Sequence, residues 1–243
     1  MDALSRTKTD KRTKFYSVAI DGPSGAGKST LAKSLAEKLG FLYLDTGALY
    51  RTVGLHVFLA GVGGGETQKI EEIVKSGEIK IEVAYDGNRQ RVLLNGSDVS
   101  ERIRENFVSG YASDVSKIPA VRAFLLGIQK EAAEKNNIIM DGRDIGTVIL
   151  PFADVKIFLT ATPEVRAKRR CAELGQRGEK VDFDAVLRDI NARDAQDSSR
   201  EAAPLKPAAD AIVLDNSDCA SPEATLGEAL NIVKEMLPDV RIR

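Results

Sequence analysis

Two rhythms of apolar and polar residues alternate along the first sixty positions. Residues 15–20 form a short, largely apolar run that reads as a buried strand, and 21–27 form a glycine-rich turn. From Lys28 the apolar positions fall at Leu31, Leu35 and Leu39, a helical spacing that stops at Gly40. Residues 41–44 read as a second short strand, and a helix follows over about 48–60. Strand, helix, strand, helix predicts an α/β fold with a parallel sheet flanked by helices.

The pattern changes after the glycine-rich bend at 61–65. A helix is predicted over about 67–75, then two alternating runs at 78–84 and 90–94 around a turn containing Asp86-Gly87, with Asn95-Gly96 and a short 97–99 run behind them. These are hairpin signals, and they predict a small antiparallel sheet inserted into the α/β domain. A helix over about 119–134 leads back to buried strands at 137–140, 155–160 and 212–214. The last helix, about 222–237, sets Leu226, Ala229, Leu230, Val233 and Leu237 on one stripe.

At 243 residues the chain is long enough for one sizeable core with appended pieces. The 35 Lys and Arg nearly balance the 36 Asp and Glu, so no global field draws the protein to nucleic acid or membrane. Cys171 and Cys219 stand far apart with no metal-type spacing and read as free thiols of a reducing compartment. Residues 1–14 are polar and basic, without the apolar stretch of a signal peptide, and are expected to be a disordered tail; a basic arm for RNA is the alternative. No window nears the roughly 18 apolar residues of a membrane span, so a cytoplasmic protein is expected.

Chemistry enters at Gly22-Pro23-Ser24-Gly25-Ala26-Gly27-Lys28-Ser29, followed by Thr30. This is G-x-x-x-x-G-K-[ST] between a predicted strand and a predicted helix, the context a phosphate-binding loop requires. Its glycines let successive N–H groups turn inward on phosphate oxygens, and the helix adds its positive end. Lys28 is expected to reach the β- and γ-phosphates from a solvent-accessible position, and the Ser29 hydroxyl to ligate Mg²⁺. Asp141, at the end of an apolar strand, is a candidate to hold the metal's water; a strand-end carboxylate serving only a turn is the bland alternative. The lone His56 lies on an apolar helix and is given no role.

A phosphoryl-transfer site must neutralise two anionic substrates, and arginine does so with a planar fork. Three clusters fit: Asp45-Thr46-Gly47-Ala48-Leu49-Tyr50-Arg51, Asp141-Gly142-Arg143-Asp144, and Arg193 through Arg200. On a helical wheel Arg193, Asp197 and Arg200 fall about 60°, 20° and 80° from Ile190, at the edge of the stripe Phe183, Val186, Leu187, Ile190. That trio therefore faces either a ligand or a buried ion-pair network, provided the helix runs that far. A further helix from Thr162-Pro163 carries Arg166, Arg169 and Arg170 and reads as a lid over ATP or as a solvated face.

These motifs together, with Ile145-Gly146-Thr147 and with Pro204 and Leu205, resemble the bacterial type of cytidylate kinase from about residue 16 to 237. The resemblance implies ATP as phosphoryl donor, Mg²⁺, and CMP and dCMP as acceptors, with no nucleic acid or membrane partner and a monomeric enzyme. It implies that Lys28, Arg143 and Arg200 are catalytic and that the loop 22–30, Arg166 and Arg170 hold the donor. Arg51, Arg143 and Arg200 would hold the acceptor phosphate, with Tyr50 nearby. Thr46, Arg193 and Asp197 would lie at the sugar, and Ser113, Arg122 and Asp144 at the cytosine edge; Ser29 and Asp141 would serve the metal. Thr46 departs from the Ser of some members but keeps the hydroxyl. The implied organisation is one kinase domain, 15–243, with its core in 15–60 and 137–243, a monophosphate-binding insert at about 61–110 and a helical lid at about 163–200. The open alternatives are a P-loop kinase for another small acceptor and a non-kinase nucleotide switch.

Overall fold

A computed structural model describes residues 15–87, 89–176, 178, 180–200 and 203–243. The tail expected over 1–14 lies outside the described residues.

The predicted strands assemble into one five-stranded, all-parallel sheet. Its members are β1 (Ser17–Asp21), β2 (Leu42–Asp45), β6 (Ile138–Gly142), β7 (Val155–Thr160) and β8 (Ile212–Asp215), in the order β2-β6-β1-β7-β8. The reason for the near-continuous apolar runs is that both faces are covered. Val18, Ile20, Ile139 and Leu159 pack against Leu31 and Leu35 of α1 (Lys28–Leu39) and Ala229 and Val233 of α8 (Pro222–Met236). Ala19, Leu44, Ile138 and Met140 point to the opposite face, with Ile145 and Ile149. Each buried Val, Leu, Ile or Met side chain among these contributes roughly 1.5–3 kcal/mol relative to exposure.

Parallel pairing in this register aligns the carboxyl ends of the strands. Asp21 pairs with Gly142 and Asp45 with Asp141, which brings three carboxylates of distant sequence to one edge. Helices α1 and α2 (Thr46–Leu59) both begin at that edge, α2 behind the Asp45 cap, whose side chain accepts from Ala48 N–H at 3.0 Å. The helix predicted from Ala48 thus starts two residues earlier, because the cap is a carboxylate that the apolar pattern does not register.

The inserted antiparallel sheet is present as β3 (Ile81–Asp86), β4 (Arg89–Leu94) and β5 (Ser97–Asp98), preceded by α3 (Thr67–Lys75). Its apolar core is shared with the main domain: Ile70, Val92 and Leu94 sit in one cluster with Val53, Leu55 and Val57 of α2 and Val121 and Leu125 of α5 (Pro119–Lys135). Gln90 accepts from Asp45 N–H at 2.7 Å and ties β4 to the end of β2. One helix was not predicted, α4 (Asn106–Val115). It has Gly110 in its middle and no side-chain cap, so its local propensity is poor, and packing against α2 holds it. The approach is close enough that a Cβ on Gly54 would lie 2.9 Å from the Ala112 nitrogen.

The region expected to form a lid contains α6 (Pro163–Gln176) and α7 (Phe183–Ser198). Arg200 lies two residues past the end of α7, so the wheel holds for Arg193 and Asp197 but not for Arg200. Among the described residues no helix is long and apolar enough to cross a membrane.

Candidate active site

A cavity of about 840 Å³ opens at the carboxyl edge of the sheet, between the glycine-rich loop, α2, α4, α7 and the turn after β8. The loop leaves β1 through Gly22 at φ 149°, where a Cβ would fall 1.9 Å from the carbonyl oxygen of Leu159, so only glycine fits. Gly27, at φ 91°, opens α1. Gly22, Pro23 and Ala26 are buried in the inner turn, and Ser24, Gly25, Gly27, Lys28, Ser29 and Thr30 line the cavity.

Lys28 corrects the expectation of a solvent-accessible side chain. It is 6% exposed, and its Nζ donates to the Pro23 carbonyl at 2.8 Å. Folding back on its own loop gives the buried ammonium a partner. Burial, followed by the charge of Arg143, lowers its pKa to about 7. Ser29 Oγ donates to Asp141 Oδ2 and Tyr43 OH to Asp141 Oδ1, both at 2.8 Å. Asp141 is therefore joined to the loop itself, and burial, with Asp45 nearby, raises its pKa to about 6.

The arginine clusters converge in the same cavity as this loop. Asp197 is 2% exposed and accepts from Arg143 Nε at 2.8 Å and from Arg200 at 2.5 Å. The Arg200 Nε is buried without a hydrogen-bond partner among the described residues. Arg193 lines the cavity, and burial and then Arg143 lower its pKa. Arg51 donates to the Ile103 carbonyl at 3.3 Å and to Ser109 Oγ at 2.9 Å. Arg143 and Arg200 share the buried Asp197 carboxylate, and Arg51 and Arg193 line the same cavity, an excess of positive charge that suits anions.

The remaining corner is polar but balanced. Asp144 is ion-paired with Arg122, whose guanidinium lies 5.9 Å from the centre of the Tyr50 ring. Burial raises the Asp144 pKa, and Arg122 opposes that rise. Tyr50, pushed up to about 12 by burial, stays a neutral phenol. Ser113 Oγ accepts from Gln196 at 3.2 Å, and Thr46 Oγ1 donates to the Asp141 carbonyl at 2.7 Å; both line the cavity.

Of the lid arginines, Arg170 lines the cavity and pairs with Glu173 at 2.9 Å. Arg166 does not line it. It is 3% exposed, forks onto Asp194 at 3.1 and 2.6 Å, and donates to the carbonyls of Ala161 and of Ser24 in the loop. Four of its five N–H donors are taken in this way, so it braces the loop from behind and does not line the cavity, where contact with the donor was expected. Arg169 lines the cavity in its place, held at 2.9 Å by both the side chain and the carbonyl of Asn216. Arg104, Ser109 and Asn216 were not foreseen. Asn216 had a legible signal, its position just past a parallel strand's carboxyl end.

The sequence profile of the cytidylate kinase family matches residues 18–235. The chain belongs to that family. Cytidylate kinase of Caldicellulosiruptor bescii is 52% identical over 210 residues, covering 86% of this chain and 92% of that one. Cytidylate kinase of Caldicellulosiruptor saccharolyticus is 49% identical over 223 residues, covering 92% and 96%. That of Thermosipho melanesiensis is 48% identical over 218 residues, covering 90% and 96%. As a cytidylate kinase family member the chain is a phosphotransferase of the nucleoside monophosphate kinase type.

Proposed function

We propose that the protein transfers the γ-phosphoryl group of ATP to CMP, and to dCMP, giving ADP and CDP or dCDP. The observation that carries this reading is one continuous cavity lined both by the phosphate-binding loop and by Arg51, Arg143, Arg193 and Arg200. On the donor side, the N–H groups of the loop and Lys28 take the β- and γ-phosphates, and Arg170 closes over them from the lid. On the acceptor side, Arg51, Arg143 and Arg200 hold the monophosphate, Thr46, Arg193 and Asp197 border the sugar, and Tyr50 packs beside Arg122. Asp144, Arg122 and Ser113 meet the cytosine edge. An ionised carboxylate only accepts hydrogen bonds, so it suits the N4 amino group of cytosine and opposes the O4 of uracil.

The Ser29 hydroxyl and the Asp141 carboxylate are oxygen donors in contact with each other beside the loop, a set that fits Mg²⁺. Among the described residues no three His, Cys, Asp or Glu side chains gather as a metal cage, consistent with an ion held largely by phosphates and water. When bound, Mg²⁺ supplies charge neutralisation on the β- and γ-phosphates. The chain's own work is to align donor and acceptor, exclude water and meet the developing charge with Lys28, Arg143 and Arg200. The acceptor phosphate is already anionic, so no general base is needed.

In this reading the insert at about 61–110 and the lid at about 163–200 frame the two substrates within a single cytoplasmic, monomeric domain. The near-neutral charge fits small nucleotides better than nucleic acid. A coupled ADP-release assay with CMP, dCMP, UMP and AMP tests the proposal. CMP and dCMP should drive turnover well above UMP and AMP, and equal rates with all four would overturn it.

A further inference from the structure

The loop that carries Arg143 and Asp144 is pinned at both ends. At its start, Thr46 Oγ1 donates to the Asp141 carbonyl at 2.7 Å. At its end, Asp21 Oδ1 accepts from Ile145 N–H at 2.7 Å and Oδ2 from Gly146 N–H at 2.8 Å. Those are the two residues immediately after Asp144, where a π-helical turn over Ile145–Ile149 begins. Asp21 is 4% exposed and is not among the residues lining the cavity. Asp144 itself has φ −145° and ψ 25°, a conformation fixed by what surrounds it.

We propose that Asp21 is a positioning residue for the acceptor: its carboxylate clamps the Ile145–Gly146 backbone and thereby aims Arg143 and Asp144 into the acceptor half of the cavity. The two adjacent N–H donors each take one oxygen of the same group, a pair of acceptors that among side chains only a carboxylate supplies. Satisfying them with a buried carboxylate is a costly choice, since no ion pair to Asp21 is formed among the described residues and burial lifts its pKa to about 6. The junction has little slack. A Cβ on Gly146 would lie 3.1 Å from Lys156 Cδ and 3.4 Å from Asp21 Oδ2.

The inference rests on the acceptor reading of Arg143 and Asp144. Its rival is that Asp21 acts through Lys28, whose charge it feels, on the donor side. Asp21→Asn keeps the shape but turns an amide NH₂ against one of the two N–H groups. Gly146→Ala keeps the Asp21 side chain but crowds its carboxylate and Lys156 at the same junction, and it decides the question if Asp21→Asn does not fold. Steady-state kinetics with CMP and ATP varied separately should show KM for CMP raised about tenfold or more, the size of one charge-assisted hydrogen bond, with KM for ATP within about twofold. KM values that rise together, or an unchanged KM for CMP, overturn the proposal. Asp144→Asn, run alongside, tests base reading through its CMP-to-UMP ratio alone. An unchanged ratio there removes the base assignment, and the split between the two KM values still decides on Asp21.

Discussion

Replacing Asp144 by Asn should loosen the choice between CMP and UMP. In the native site Asp144 spends Oδ2 on Arg122, and both side chains line the cavity with Ser113. Asp144 is only 5% exposed; burial raises its pKa, and Arg122 beside it opposes that rise. An asparagine can keep the Arg122 contact through its single oxygen, which leaves the NH₂ for the base. That group donates to the O4 of uracil and meets the N4 amino group of cytosine donor against donor. A matched polar contact to a base is worth roughly 1–3 kcal/mol, and exchanging acceptor for donor gains one pairing as it loses the other. The kcat/KM ratio of CMP to UMP should therefore shrink by about tenfold or more, the equivalent of about 1.4 kcal/mol. The assay is coupled ADP release at saturating ATP with each acceptor varied. Loss of both activities by one common factor would refute the reasoning and leave Asp144 as a brace for Arg122, the partner the structure gives it.

Two further substitutions probe charge in the cavity. Lys28→Met should leave less than about a tenth of kcat, a loss above about 1.4 kcal/mol, yet raise Tm near neutral pH, because it removes a buried ammonium whose pKa is lowered to about 7. A lowered folded pKa means that the unfolded chain binds more protons above pH 7, so Lys28 makes stability rise with pH from about 7 to its unfolded value near 10.5; denaturation of Lys28→Met across that window should lack this rise. Arg200→Lys keeps the charge but loses the fork between Asp197 and the cavity, and kcat/KM for CMP should fall about tenfold or more; an unchanged value returns Arg200 to an ion pair of the fold.

What could be read from the sequence was local. The glycine-rich loop, the helical spacing of Leu31, Leu35 and Leu39, and the arginines just past strand ends are patterns within a few residues, and all reappear in the fold. What could not be read crosses the chain. Arg166 and Asp194 are 28 residues apart, and Asp21 and Ile145 are 124 apart. Periodicity is silent on which carboxylate an arginine will meet, so Arg166 looked as available to ATP as Arg170. Lys28 misled for the same reason: its motif position gives the destination of the ammonium but not the Pro23 carbonyl that holds it meanwhile. The wheel over α7 posed a choice between a ligand face and a buried ion-pair network, and the geometry joins the two. Asp197 pairs Arg143 and Arg200, while Arg193, one turn earlier on the same helix, lines the cavity. One buried carboxylate cannot neutralise three guanidinium groups. It can hold two of them at fixed separation without closing the site, and in the function proposed above the surplus charge is what an incoming phosphate meets.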